Sequence, residues 1–356
     1  VDISLNALKV IDSTGLVLFV GSVGLISGPG FFKNLKSNFR DYLSVGLVIT
    51  AVGFLTTVAC FYIGRGAESS NQEFAAALSG IMSGALTNAP AFSSAKATAA
   101  TVAAASGSVV AAADIEAIVT VGYGIAYIFG VVGVVLFVQI VPSINKANME
   151  EERALISVAK DDGRTVAKKR YFEVDPQGLF AFAFVLVAGI LVGTFRIPLT
   201  PAGYSGVTFS LSSTGGVLLV GLVVGHFGHI GPVSVNLTPG TLRSFRELGL
   251  VLFLVGSGVS GGMKFAQYFK LVYFFYGIAI TLLPMVVGYL FARYVLKMRL
   301  LNNLGSIAGG MTSTPALASL IGVSGTEDVA SAYAATYPIA LIGVVITSQF
   351  LILLLS

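Results

Sequence analysis

The chain has no tryptophan, one cysteine and two histidines in 356 residues, and only 11% of it is charged. Each shortage removes a class of reading. Cys60 alone cannot form an internal disulfide, so cysteine usage leaves the redox compartment open. His226, His229 and Cys60 do not make a Cys/His zinc cluster, and no cofactor or metal is implied. No nucleophile–base set appears, so nothing points to an enzyme. The glycine-rich run Gly256 to Gly262 lacks the Lys-Ser/Thr pair of a phosphate-binding loop and reads instead as close helix packing. The shortage of charge is the most restrictive, because soluble domains carry about 25% charged residues. Here 55% of the chain is hydrophobic and the mean hydropathy is +0.88. A water-soluble fold of this length cannot bury that much apolar surface, whereas a lipid bilayer solvates it. The net charge of +4 carries no nucleic-acid signal, since no basic face interleaved with aromatics exists. Its largest cluster, from Lys146 to Arg170, lies between apolar runs and reads as topogenic charge on a cytoplasmic loop.

What is present is a series of long apolar runs. At about 20 residues per crossing, they predict spans at 14–32, 42–64, 115–141, 177–195, 213–230, 247–263, 270–293 and 328–355. Two further segments, 73–112 and 302–325, are rich in Gly, Ala, Ser and Thr and contain Pro90 and Pro315. If both are re-entrant hairpins, Lys33, Lys36, Arg40, Arg243, Arg246, Arg293, Lys297 and Arg299 share the cytoplasmic side with the 142–176 loop. That distribution obeys the positive-inside rule. The expected organisation is a first membrane repeat over 1–141, a cytoplasmic linker or helical elbow over 142–176, and a second membrane repeat over 177–356.

Three blocks recur in the same order. Gly15-Leu-Val-Leu-Phe19 matches Gly249-Leu-Val-Leu-Phe253. Gly84-Ala-Leu-Thr87-Asn-Ala-Pro90 matches Gly309-Gly-Met-Thr312-Ser-Thr-Pro315. Tyr123, Tyr127, Gly133 and Gln139 match Tyr333, Tyr337, Gly343 and Gln349. With hairpins, the second copy starts on the opposite side of the membrane from the first, which makes the repeats inverted, a plan common in secondary transporters. The second copy has two extra spans before its Gly249 block. The expectation is that two corresponding helices precede Gly15 in the full protein; neither a cleavable signal peptide nor an initiator Met is visible.

Pro90 and Pro315 cannot donate a helix hydrogen bond, yet each suits the first turn of a new helix. Each motif therefore reads as one helix ending and another beginning within the membrane. The new helix N-terminus brings positive partial charge. Thr87, Asn88, Ala89, Pro90, Thr312, Ser313, Thr314 and Pro315 are the expected substrate-binding residues, forming a midplane site for an anionic or zwitterionic solute.

The pieces GSVGLISGPGFF (Gly21 to Phe32), SGALTNAPAF (Ser83 to Phe92) and GGMTSTPALASL (Gly309 to Leu320) resemble the aspartate–alanine exchanger family of bacterial transporters, and the resemblance covers nearly the whole chain. It implies an all-α polytopic membrane protein of elevator type that exchanges amino acids or dicarboxylates such as aspartate, alanine or succinate across the cell inner membrane. Family members usually carry regulatory domains between the halves, for which 142–176 is too short, and a Thr where this chain has Ala89.

Single charges refine the reading. Lys96 is the one basic residue inside a broken segment; it either holds a carboxylate or snorkels to the outer surface. Asp114, Glu116, Glu327 and Asp328 fall at helix starts, where they complement the dipole. No acidic residue falls deep within a span, which favours exchange over a sodium- or proton-coupled symporter of organic anions, while paired breaks argue against a passive channel. Tyr123 and Tyr333 are either site-facing or core. The expected partners are the lipid bilayer, a small carboxylate or amino acid, and a second copy in a homodimer, by analogy with elevator transporters.

Overall fold

The computed structural model describes residues 5–33, 39–67, 70–105, 112–156, 172, 177–198, 208–210, 212–235, 237–326 and 328–356. The architecture is all-α. In the first half, α1 spans Leu5–Lys33, α2 Phe39–Gly64, α3 Asn71–Ala85, α4 Ala89–Ala105 and α5 Ala112–Ile144. A short α6, Met149–Ile156, follows in the polar stretch, most of which (157–171 and 173–176) lies outside the described residues. Then come α7 (Leu179–Gly193), α8 (Ser212–Phe227), α9 (Pro239–Tyr268), α10 (Leu271–Leu290), α11 (Leu300–Gly310), α12 (Thr314–Ser324) and α13 (Val329–Leu355). Two small antiparallel ladders flank α8: β1 (Arg196–Pro198) with β2 (Thr208–Ser210), and β3 (His229–Ile230) with β4 (Val233–Ser234).

Among the described residues, four helices are long and apolar enough to cross a membrane: Arg40–Gly64, Asp114–Ile144, Leu271–Val295 and Val329–Leu355. They coincide with four of the eight predicted spans. The others differ for physical reasons. Helices α7 and α8, at 15 and 16 residues, reach only about 22–24 Å at 1.5 Å per residue, short of a perpendicular crossing. Helices α1 and α9 are longer than predicted. The α9 N-terminus is set by Thr238, whose hydroxyl accepts from the Thr241 amide at 3.1 Å, with Pro239 in the first turn. That cap precedes the apolar run by two turns and pulls Arg243, Arg246 and Glu247 into the helix. Helix α1 likewise starts at Leu5, so Asp12, two residues before the predicted span, lies inside the helix and is buried.

The helices sort into two groups by packing. In one, α1 lies along α9 and α8, and α8 along α7; Leu25, Phe182, Val185, Val224 and Leu242 form its own small core. In the other, α2–α5 pack with α10–α13 around Phe74, Leu78, Ile81, Leu86, Ile280 and Ile307. The seam runs where α9 meets α5, α8 meets α4 and α1 meets α13.

Packing is reciprocal between matched residues. Where α1 crosses α9, a Cβ on Gly15 would overlap the backbone of Phe253 and Gly249, and one on Gly249 would overlap Phe19 and Gly15. In the second group, Gly84 lies against the Tyr123 carbonyl and Gly309 against the Tyr333 carbonyl. Side chains cannot enter these contacts without moving backbone. Gly249→Val is therefore expected to cost at least about 1–3 kcal/mol, the range for overpacking. The readout is a lower melting temperature and less monodisperse protein after detergent extraction, with Gly258→Val, which meets open space, as the neutral control.

Candidate functional site

The two Thr-x-x-Pro motifs build matching junctions. Helix α3 ends at Ala85 and helix α11 at Gly310. Beyond each end, one threonine takes a left-handed backbone: Thr87 and Thr312 both have φ near 50°. The chain then folds back on the ending helix. The amides of Thr87 and Asn88 bond the Gly84 and Ser83 carbonyls at 2.9 and 2.8 Å; those of Thr312 and Ser313 bond Gly309 and Ala308 at 3.0 Å each. These bonds satisfy carbonyls that a helix C-terminus leaves open. Asn88 and Ser313 then cap the following helices, accepting from the Ala91 amide at 2.9 Å and the Ala316 amide at 3.4 Å. The Asn88 amide also donates to the Leu341 carbonyl at 3.3 Å.

The junctions are joined to each other. The Thr87 hydroxyl donates to the Met311 carbonyl at 2.8 Å, and the Thr312 hydroxyl donates to the Leu86 carbonyl at 2.6 Å. Each hydroxyl satisfies the C-cap carbonyl of the opposite break.

A cavity of about 280 Å³ opens beside this joint, lined by Thr87, Ala89, Pro90, Thr312, Thr314 and Pro315 from the breaks and by Tyr123, Tyr127 and Tyr337. Its other wall comes from across the seam: Phe19 of α1, and Arg246, Glu247 and Leu250 of α9. The volume is close to the lower end of small-molecule pockets, roughly 300–1,000 Å³, and suits a metabolite of a few carbons. The first turns of α4 and α12 both border it, contributing positive dipole ends. Arg246 adds a full positive charge and makes no ion pair among the described residues. Glu247 is exposed on the same wall. The arrangement can hold a carboxylate and leaves one acidic group for a cationic substituent.

The structure thus gathers six of the nine expected site residues around one cavity. Asn88 and Ser313 lie behind it, fully buried as helix caps. Lys96 does not line it. Lys96 sits about two turns along α4, with its Nζ 3.2 Å from the Asp12 carboxylate and 5.1 Å from the Phe92 ring centroid. The Lys96 ammonium thus faces a carboxylate of this chain, in a part-buried pair between α4 and α1. Tyr123 lines the cavity; Tyr333 instead approaches the Thr314 hydroxyl at 3.3 Å. Sequence reasoning does not single out Arg246 or Glu247, because they stand at the edge of the apolar run, where Arg246 counts among the cytoplasmic-side charges. The available signal was their position, within one turn of the repeated Gly249 block. Asp114 does lie in the first turn of α5, and Asp328 directly precedes α13 without a side-chain capping bond; Glu327 lies outside the described residues.

Thr87→Val and Thr312→Val each strand a buried carbonyl. Each is expected to cost about 1–3 kcal/mol, or a melting-temperature drop of several degrees at about 2–4 °C per kcal/mol. Because both bonds hold one joint, the double variant should lose less than the sum of the singles. Thermal unfolding in detergent measures both effects.

Comparison with known proteins places this geometry. The family model described as Asp-Al_Ex, a predicted permease membrane region, matches residues 1–143 and 181–353. An uncharacterized transporter of Bacteroides fragilis is 24% identical over 96% of this chain and 89% of its own length. An uncharacterized transporter of Desulfotalea psychrophila is 27% identical over 98% of this chain and 89% of its own. One from Rhodopirellula baltica reaches 35% identity over 48% of this chain and 32% of its own length. The first of these alignments runs over 498 residues, longer than the 356 of this chain, so that relative holds additional residues within the matched region.

Proposed function

The chain belongs to the aspartate–alanine exchanger (Asp-Al_Ex) family of permease membrane regions, and from that footing we propose that this transporter is a secondary antiporter of small carboxylates or amino acids. Aspartate, alanine and succinate are the candidate substrates, and the bacterial inner membrane is the proposed location. The observation that carries the reading is the cavity itself: two helix N-termini and Arg246, without an acidic partner among the described residues, converge on a space of metabolite size.

The seam supports an elevator-like mechanism. One wall of the cavity comes from the breaks and α5 and α13, the other from α1 and α9. Sliding of the first group against the second would carry the breaks, and a solute bound to them, past Arg246. The breaks would act as re-entrant tips, and their mutual hydrogen bonds would keep both in one moving unit. Reciprocal packing of Gly15 with Gly249, and the crossed bonds from Thr87 to Met311 and from Thr312 to Leu86, support an inverted repeat related by an axis through both contacts. A homodimer through the α1, α7, α8 and α9 group, with 142–176 in the cytoplasm, completes the proposal.

Counterflow in proteoliposomes tests it. Uptake of labelled aspartate should rise severalfold when alanine, aspartate or succinate is present inside. Arg246→Gln should lower that uptake by about tenfold or more, the loss of one charge-assisted contact, with Arg246→Lys intermediate. Uptake indifferent to internal substrate but driven by a sodium or proton gradient would replace exchange with symport; uptake needing neither would mean a channel.

A further inference from the structure

A second cavity, of about 410 Å³, shares Arg246 with the solute cavity. It lies within the α1, α8 and α9 group, between the later turns of α1, the C-terminal end of α8 and the first turns of α9, and no residue of either break lines it. Its walls are apolar, with Leu25, Ile26, Leu237 and Leu242 among them, and its only lining side chains that carry charge are Arg243 and Arg246. Among the described residues neither arginine makes an ion pair. Its rim is apolar and cationic at once, because Ile26 is 40% exposed and Arg243 is exposed beside the same space.

These walls set the chemistry of an occupant. Two guanidinium groups call for an anion, and their planar forks match the oxygens of a phosphate. The apolar walls call for hydrocarbon joined to that anion. A small dicarboxylate would leave the apolar walls unfilled, and a bare acyl chain would leave both arginines unpaired. An anionic phospholipid supplies both parts in one molecule. Basic pockets between membrane helices on the cytoplasmic side are a recognised setting for such headgroups, and the orientation proposed above puts Arg243 and Arg246 on that side. We propose that this cavity binds an anionic phospholipid, with its phosphate on Arg243 and Arg246 and the upper part of an acyl chain along Leu25, Ile26, Leu237 and Leu242.

One guanidinium then serves two anions. A phosphate beside Arg246 offsets part of the positive charge that this residue offers a solute carboxylate in the neighbouring cavity. Lipid and solute therefore oppose each other's binding, and the opposition is reciprocal. Anionic lipid lowers the affinity of the solute site without entering it. This coupling rests on the carboxylate reading above, whereas the lipid site itself does not.

The lipid site is tested without transport. Phosphatidylglycerol added to the purified protein in detergent should raise its melting temperature by several degrees, as a ligand of the folded state does. Phosphatidylcholine and inorganic phosphate should not. Arg243→Gln should remove most of the gain, Arg243→Lys should keep part of it, and Arg40→Gln, an exposed arginine away from the cavity, should keep all of it. An equal gain with phosphatidylcholine, or one that survives Arg243→Gln, would overturn the site; an equal gain with inorganic phosphate would make the occupant a soluble anion instead of a lipid. The coupling is tested by counterflow in proteoliposomes. The KM for aspartate should rise severalfold as phosphatidylglycerol replaces phosphatidylcholine, and Arg243→Gln should flatten that rise. A rise unchanged in Arg243→Gln would be the general surface potential of an anionic membrane and would sink the coupling. Absent counterflow in the wild type, with the lipid-specific melting gain intact, would refute the exchanger reading and leave the lipid site standing.

Discussion

Two threonine hydroxyls, each given to the other motif's C-cap carbonyl, hold the centre of this molecule. Lipid offers no hydrogen bonds, so a helix can break inside a membrane only where protein satisfies the freed backbone groups. Thr87 answers Leu86's counterpart Met311, and Thr312 answers Leu86. Asn88 and Ser313 meanwhile satisfy amides at the start of the next helices. With those groups accounted for, the breaks become stable, and the first turns of α4 and α12 can be spent on the cavity.

That centre works because the surrounding helices approach closely. Gly84 and Gly309 let α3 and α11 touch the backbone of the tyrosine-bearing helices α5 and α13. Gly15 and Gly249 let α1 and α9 touch each other. Close backbone contact within each group leaves the open space on the seam between the groups. The Asp12–Lys96 pair spans that same boundary.

Much of this was legible in the residues. Composition alone required a membrane environment. The repeat identified both breaks, because Thr, Pro and Tyr kept register within apolar sequence. Six of the expected site residues line one cavity since each sits within two residues of a proline-started helix. The fates of Asn88 and Ser313 were not legible: a polar side chain before a helix can cap it or face a solute, and only packing decides. Arg246 was not singled out for a related reason. A charge beside an apolar run looks topogenic unless the helix is known to extend past it, and the Thr238 cap sets that extent outside the hydrophobic pattern.

The sequence by itself determined the solvent, the helical class and the places where helices must break, because these follow from local composition and proline stereochemistry. Tertiary structure alone decided which charges meet. Lys96 and Asp12 are 84 residues apart in the chain, and Thr87 and Met311 are 224 apart. No local preference encodes such pairings. They depend on where α1 and α4, or the two breaks, come to lie once glycine contacts have set the helix spacing. The same packing leaves Arg246 facing a cavity while its matched partner Asp12 faces a lysine.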